Sequence, residues 1–125
     1  MAPTTLPGMK STTSPYGRDT AAAGFPIKMT DLVAQLPGTY YVTRQAVHKP
    51  GNVRKTKKAI RQAFEVQMQK KGLAFIEVVS NCNSGWRMTP NESNQWMEDN
   101  MFPYYPLGDM KVDGKIVKDL MEDLK

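Results

Sequence analysis

A strand–helix–strand pattern in the middle of the chain most constrains its fold. Residues 39–47, TYYVTRQAV, are dense in β-branched and aromatic side chains and predict a strand. A helix is predicted over about residues 53–70, followed by LAFIEVVS at 73–80, a nearly continuous apolar run typical of a strand buried on both faces. Two strands joined by such a helix predict a parallel pair with a right-handed crossover. The fold class is therefore α/β, with a partial parallel sheet and flanking helices.

The two predicted strands are too few for a stable sheet. We therefore expect further strands to be supplied by an N-terminal half that this sequence lacks, or by another chain. After a turn at Asp113–Gly114, the apolar residues suggest a final amphipathic helix whose apolar face packs on a partner. These residues are Ile116, Val117, Leu120, Met121 and Leu124.

The remaining elements follow from capping and turn residues. Residues 1–26 carry many prolines and glycines without hydrophobic periodicity, so they predict a long loop. Thr30 is a candidate N-cap for a short helix that reaches Leu36. The sequence TPNE at 89–92 predicts a further helix start, with Thr89 as cap and Glu92 completing a capping box.

The predicted helix at 53–70 combines an apolar stripe with a basic surface. Its stripe consists of Ala59, Ile60, Ala63, Phe64 and Met68. Its basic residues are Arg54, Lys55, Lys57, Lys58 and Arg61, within a chain of net charge +5. A solvated helix face explains these charges most simply, and an acidic protein partner or a nucleic acid are the alternatives. No aromatic residues interleave with the basic ones, which disfavours nucleic acid.

Few residues in the chain could carry chemistry. Cys82 is the only cysteine and His48 the only histidine, so one chain cannot hold an iron–sulfur cluster or a structural zinc site. Cys82 follows a predicted strand, where it either fills space or lies near a cofactor or an interface. His48 is interpreted as a surface residue. The sequence shows neither an apolar run of membrane-spanning length nor a signal peptide, so a cytoplasmic location is expected.

Three segments resemble the β subunit of the 2-oxoacid:ferredoxin oxidoreductases, the subunit that binds thiamine pyrophosphate. In chain order they are MAPTTLPGMKSTTSPYGR, AFEVQMQKKGLAFIEVVSNCNSGWRMTP and MFPYYPLGD, and the resemblance covers most of residues 1–110. The form NCNSGW followed by MTPNES is closer to the 2-oxoisovalerate (branched-chain) and 2-oxoglutarate members than to the pyruvate members. The resemblance implies an oxidoreductase that oxidatively decarboxylates a 2-oxoacid to its acyl-coenzyme A, with ferredoxin as electron acceptor.

The same resemblance implies where the cofactors lie. Pro3, Thr4 and Thr5 match a loop beside the cofactor and substrate, and Cys82 matches a position where family members often have cysteine. The family's motif for magnesium and diphosphate is not found here, so the chain is expected to be a C-terminal part that binds neither thiamine pyrophosphate nor Mg²⁺ alone and is inactive alone. Iron–sulfur clusters are expected on partner subunits. The implied partners are the other subunits of the complex, ferredoxin, coenzyme A and the 2-oxoacid, without a membrane.

The resemblance also implies a division of the chain. Residues 1–26 would form a cofactor-proximal loop, residues 27–108 the α/β C-terminal part of the thiamine-diphosphate domain, and residues 109–125 a tail with the amphipathic helix. The alternative function is a stand-alone basic module that docks an acidic protein partner through the helix at 53–70.

Overall fold

The computed structural model describes residues 2–117 of the chain. These residues divide into two compact units. The first contains the described residues up to Lys28 together with Asn81–Pro106, and the second contains Met29–Ser80 together with the described residues from Leu107 onward. This division differs from the three stretches expected from the sequence, because residues 81–106 group with the N-terminal loop.

The second unit is built on a four-stranded sheet of order β2-β1-β3-β4. Its strands are β1 (Thr39–Ala46), β2 (Leu73–Val79), β3 (Gly108–Val112) and β4 (Lys115–Ile116). Strands β1 and β2 are parallel, whereas β3 pairs antiparallel with both β1 and β4. The predicted α/β class and the parallel pair are confirmed, and the sheet as a whole is mixed.

Two helices flank this sheet. Helix α2 (Met29–Gln35) precedes β1, and helix α3 (Pro50–Met68) connects β1 to β2. On the α2 side the core contains Ala34, Val42 and Met110, all fully buried. The other core cluster, around α3, contains Tyr41, Ala59 and Val66. Helix α2, which precedes β1 in the sequence, and helix α3, which follows it, therefore both pack against the sheet.

The first unit contains short helices. They are α1 (Thr20–Ala23), α4 (Asn83–Trp86), α5 (Pro90–Trp96) and α6 (Phe102–Tyr104), with a 3-10 turn at Ala2–Thr4 and a π-helical turn at Met97–Met101. Helix α5 begins with the predicted capping box: the Thr89 hydroxyl accepts from the Glu92 backbone N–H, and the Glu92 carboxylate accepts from the Thr89 backbone N–H. The Glu92 carboxylate also accepts from the Thr89 hydroxyl at 2.7 Å, and this bond, together with the one from the Thr89 backbone N–H, lowers the pKa of Glu92 below its usual value.

The prediction that β2 is buried on both faces is wrong for the described chain. β2 lies at one edge of the sheet, and Val79 is its only buried residue. Leu73 is 48% exposed and Val78 is 40% exposed. An apolar run indicates a capacity for burial, but it does not decide which strand occupies the edge.

The predicted apolar stripe of α3 is also partly wrong. Ala59 is buried as expected, but Phe64 and Met68 are 68% and 82% exposed. The helix instead directs Thr56 and Val66 inward, and the Thr56 hydroxyl donates to the Ala46 carbonyl at 2.8 Å. The packed face therefore includes a buried threonine and differs from the purely apolar stripe.

A hairpin replaces the start of the predicted C-terminal helix. Asp113 and Gly114 have φ angles of 50° and 74°, which are typical of a two-residue type I′ turn. They join β3 to β4, so Ile116 lies in a strand, and the Val117 N–H donates to the Met110 carbonyl at 3.0 Å. The helix prediction is wrong for these two residues because the turn returns the chain along β3. Leu120, Met121 and Leu124 lie outside the described residues.

A buried ion network joins α2 to the sheet. The Arg44 side chain is fully buried, and its Nε donates to Glu77 at 2.7 Å while its Nη2 donates to Asp31 at 2.8 Å. The Thr30 hydroxyl also donates to Glu77. Thr30 therefore lies within α2 and is not the predicted N-cap, since its side chain is directed toward the sheet.

Tyr41 lies on β1 and donates its hydroxyl to the Asp109 carboxylate on β3, at 3.1 Å. Desolvation by burial, followed by the nearby negative charge of Asp109, raises the pKa of Tyr41 to about 12. Both causes disfavour the tyrosinate form, because it is an anion in a poorly hydrated site beside another anion.

Removing the buried guanidinium should destabilise the second unit strongly. In Arg44→Met, two carboxylates that are mostly shielded from water lose their cation, and we expect the free energy of unfolding to fall by about 3 kcal/mol. Urea denaturation followed by circular dichroism measures the change. Arg54→Met on the exposed part of α3 is the matched control and should change stability by less than about 0.5 kcal/mol. Equal losses in both variants would contradict the role of the network.

The raised pKa of Tyr41 predicts a loss of stability at alkaline pH. Its folded pKa of about 12 exceeds the usual 10.0, so the unfolded chain releases the proton first as pH rises. The contribution is fully present below pH 10 and disappears as the pH rises toward 12. Ultraviolet titration of tyrosinate in the folded chain should show a late step that Tyr41→Phe removes. The step should move to lower pH in Asp109→Asn; an unchanged titration in both variants would contradict this assignment.

Candidate functional site

The predicted cofactor-proximal residues lie in one short turn of the first unit. Pro3 and Thr4 belong to the 3-10 turn, and both are exposed, whereas Thr5 is 5% exposed. The Ile27 N–H donates to the Pro3 carbonyl at 2.8 Å, and the Tyr105 hydroxyl donates to the Thr4 carbonyl at 3.3 Å. The backbone of the turn is thus held from two sides while two of its side chains face outward.

The loop after this turn is ordered by backbone pairing and by one arginine. The Gly8 backbone N–H donates to the Arg18 carbonyl at 2.9 Å. A Cβ at Gly17, whose φ is +96°, would lie 2.8 Å from the Gly8 carbonyl oxygen, so this close approach needs glycine. Neither the role of Arg18 nor this pairing can be predicted from the sequence, because the residues that meet here share no motif.

Arg18 itself closes the loop that contains α1. Its guanidinium donates to the carbonyls of Ala23, Gly24 and Phe25 at 3.1, 2.9 and 3.4 Å, and only 9% of the residue is exposed. These carbonyls lie at and beyond the C-terminal end of α1, where carbonyl groups have no partner within the helix. Asp19 accepts from the Ala21 N–H at the other end. A single cation therefore organises residues 18–25.

Cys82 lies immediately before α4 in the same unit. It is half-buried, and its carbonyl accepts from the Trp86 N–H at 2.9 Å. Asn81 donates to Ser93 at 2.7 Å and to Asn94 at 3.0 Å, which fixes the segment before Cys82 against α5. These contacts place Cys82 in a well-defined turn, and neither role predicted for its thiol is tested by them.

A small pocket lies between the N-terminal loop and α4. Its volume is about 150 Å³, and it is lined by Lys10, Ser11, Pro15, Gly85, Trp86 and Arg87. The Thr12 N–H donates to the Gly85 carbonyl at 3.3 Å, which joins the two walls. The Trp86 ring of this wall contacts the Trp96 ring at a centroid distance of 4.9 Å. Two cations beside an indole suit a small organic anion.

Other candidates from the sequence do not join this pocket. His48 is half-buried in the turn between β1 and α3, in the second unit. Among residues 2–117, no cluster of three or more histidine, cysteine, aspartate or glutamate residues could hold a metal ion. In the same part of the chain, no helix has both the length and the apolar character that crossing a membrane requires.

Comparison with known proteins finds relatives among oxidoreductase subunits. The chain is 36% identical to the ketoisovalerate oxidoreductase subunit VorA of Methanothermobacter marburgensis and 35% identical to that of Methanothermobacter thermautotrophicus. Both matches extend over 107 residues, which is 86% of this chain. It is 34% identical over 100 residues, 80% of this chain, to the 2-oxoglutarate synthase subunit KorB of Archaeoglobus fulgidus. No family model matches the chain. No solved structure matches it.

The matches cover only part of each relative. The chain spans 22% of the length of both ketoisovalerate oxidoreductase subunits and 33% of the 2-oxoglutarate synthase subunit. Ketoisovalerate and 2-oxoglutarate are both 2-oxoacids. The relatives therefore support the resemblance to subunits of 2-oxoacid oxidoreductases that the sequence motifs indicate.

Loss of the Arg18 guanidinium should loosen the loop without unfolding the second unit. Arg18→Met leaves the Ala23, Gly24 and Phe25 carbonyls without this donor, so the segment should open locally more often. Limited elastase digestion should then cleave after the exposed alanines at 21–23 several times faster than in the unchanged chain. Lys10→Met, a cation of the same loop that lines the pocket, is the control and should leave the cleavage rate unchanged. Equal cleavage rates in all three chains would contradict the role of Arg18.

Proposed function

We propose that the chain is part of a subunit of a 2-oxoacid:ferredoxin oxidoreductase that decarboxylates 2-oxoisovalerate to its acyl-coenzyme A. The observation that carries this proposal is the 36% identity to a ketoisovalerate oxidoreductase subunit over 86% of the chain. The match to the 2-oxoglutarate synthase subunit is shorter and slightly less identical, which favours the branched-chain substrate. The proposed location is the cytoplasm.

The turn at Pro3–Thr5 is the proposed contact with thiamine pyrophosphate and substrate. Its backbone is held by Ile27 and Tyr105 while Pro3 and Thr4 are exposed, which fits a wall that presents side chains to a neighbouring group. Among residues 2–117, no group of three or more histidine, cysteine, aspartate or glutamate side chains could hold a metal ion. In this proposal the metal ligands come from the rest of the subunit. Cys82 would lie near the same site.

The exposed apolar surface of the second unit is the proposed contact with the rest of that subunit. Phe64 and Met68 on α3 and Leu73 on β2 are each roughly half exposed or more, and β2 has one unpaired edge within the described chain. Exposed apolar patches and open strand edges are typical of interaction sites. The relatives are three to five times longer than the region they share with this chain, so they contain polypeptide that could cover such a surface.

Other subunits supply the electron-transfer groups in this proposal. One cysteine cannot ligate an iron–sulfur cluster, which needs about four ligands per cluster. In this proposal the clusters therefore lie elsewhere in the complex, and ferredoxin and coenzyme A are further partners of that complex. The competing function is a basic module that binds an acidic protein, and it is favoured by the exposed Arg54, Lys55, Lys57 and Lys58 on α3.

The activity can be measured on the protein that contains this chain, purified with its native partners. We expect 2-oxoisovalerate and coenzyme A together to support reduction of ferredoxin, with 2-oxoglutarate a poorer substrate. Thr4→Val should lower kcat/KM about tenfold, since in this proposal the exposed Thr4 contacts the cofactor. Thr12→Val, an exposed threonine of the same loop, is the control and should have little effect. Absence of turnover with every 2-oxoacid would overturn the proposed function.

Assembly tests the proposed apolar contact independently of activity. Phe64→Ser with Met68→Ser should weaken association with the remainder of the complex at least about tenfold, because buried apolar anchors dominate interface energies. Both side chains are exposed in this structure, so the isolated chain should keep its stability. Lys57→Ser on the same helix is the control. Weaker assembly in the lysine variant alone would favour the basic-module function instead, as measured by analytical ultracentrifugation.

A further inference from the structure

A second, larger pocket lies in the sheet unit, and its lining includes none of Pro3, Thr4, Thr5 and Cys82. Its volume is about 320 Å³, and it is bounded by β1, the N-terminal half of α3 and the beginning of β3. The lining residues are Tyr41, Gln45, Asn52, Lys55, Lys58, Ala59, Gln62, Leu107, Gly108 and Asp109. Pockets in α/β proteins commonly occur near the carboxyl ends of strands, and Gln45 is the penultimate residue of β1.

The lining is chemically a binding surface for an anion. Lys55 and Lys58 are three residues apart on α3, so their side chains lie on the same side of the helix. Asn52, one turn earlier, and Gln62, one turn later, add amide groups that can donate hydrogen bonds. The lining contains neither cysteine, serine nor histidine, so it offers no nucleophile paired with a base.

The type of cation indicates the type of anion. Lysine ammonium groups act as compact point charges and bind phosphate well, whereas planar carboxylates are favoured by the forked donors of arginine. No arginine lines this pocket. Its volume is at the lower end of the range for small-molecule sites, which suits a small phosphorylated compound.

Asp109 is the one acidic group in the lining, and it opposes anion binding. Its carboxylate accepts the Tyr41 hydroxyl at 3.1 Å, which holds it at the β3 side of the pocket. Two lysines against one aspartate leave the lining with a net positive charge. Removing the Asp109 charge should therefore strengthen anion binding, whereas removing either lysine should weaken it.

We propose that this pocket between α3 and β3 binds the phosphate groups of a small phosphorylated molecule, with Lys55 and Lys58 as its cationic ligands. Asn52 and Gln62 complete the donor set, and Ala59 forms the apolar floor. The site lies on the side of α3 that carries Lys55 and Lys58, so it does not require the exposed Phe64 and Met68 or the turn at Pro3–Thr5.

Calorimetric titration of the full chain with pyrophosphate tests the proposal. Pyrophosphate should bind, and Lys55→Gln and Lys58→Gln should each raise its Kd about tenfold, as expected for loss of one charge-assisted contact. Asp109→Asn should lower the Kd severalfold. Lys57→Gln is the matched control: it removes the same charge from the same helix but does not line the pocket, and it should change the Kd less than about twofold.

Four results would overturn the proposal. The first is absence of pyrophosphate binding, and the second is a Kd that neither Lys55→Gln nor Lys58→Gln changes. The third is an equal loss of affinity in Lys57→Gln, which would indicate diffuse charge attraction. The fourth is citrate binding as tightly as pyrophosphate. All four substituted residues are exposed, so circular dichroism should show that the variants fold alike. Because the readout is ligand affinity, its outcome is separate from the 2-oxoacid activity proposed above.

Discussion

The buried guanidinium of Arg44 is the constraint on which the sheet unit depends. A cation without water must be surrounded by acceptors, since its desolvation costs several kcal/mol. Asp31 from α2 and Glu77 from β2 satisfy it, and Thr30 adds a hydrogen bond to Glu77. One side chain on β1 therefore fixes the helix before the strand and the strand beside it. Moving either neighbour would leave a charge buried without a partner.

This network also explains why the two sides of β1 differ. Side chains alternate along a strand, so Arg44 and Val42 face one side while Tyr41 and Thr43 face the other. The charged contacts join α2 to the sheet on the first side. On the second side Tyr41 packs with α3 and its hydroxyl reaches Asp109, which forms part of the pocket beside Lys55 and Lys58. A pocket with mobile surface lysines thus rests on a strand fixed by ion pairs from the opposite side.

Local sequence signals predicted the elements whose causes are local. The capping box at Thr89 and the parallel pair around α3 are confirmed, because each depends on nearby residues or on a strong pattern. The β3–β4 hairpin was missed although Asp113–Gly114 between alternating residues was a usable signal for it. The edge position of β2 and the acceptors of Arg18 and Arg44 could not be read from the sequence, because each depends on residues that only the fold brings together.

The candidate site likewise combines a local sequence signal with contacts that only the fold brings together. The turn at Pro3–Thr5 was singled out through a family motif, and the structure adds what the motif cannot give: a backbone held at both carbonyls while two side chains are exposed. In the proposed function this turn would position cofactor and substrate, since a threonine hydroxyl is a weak nucleophile at its ordinary pKa. In that proposal the cofactor supplies the reacting groups, as in enzymes whose protein side chains mainly bind and orient. The similarity to 2-oxoacid oxidoreductase subunits and the exposed side chains of this turn are the two observations on which the proposed positioning role rests.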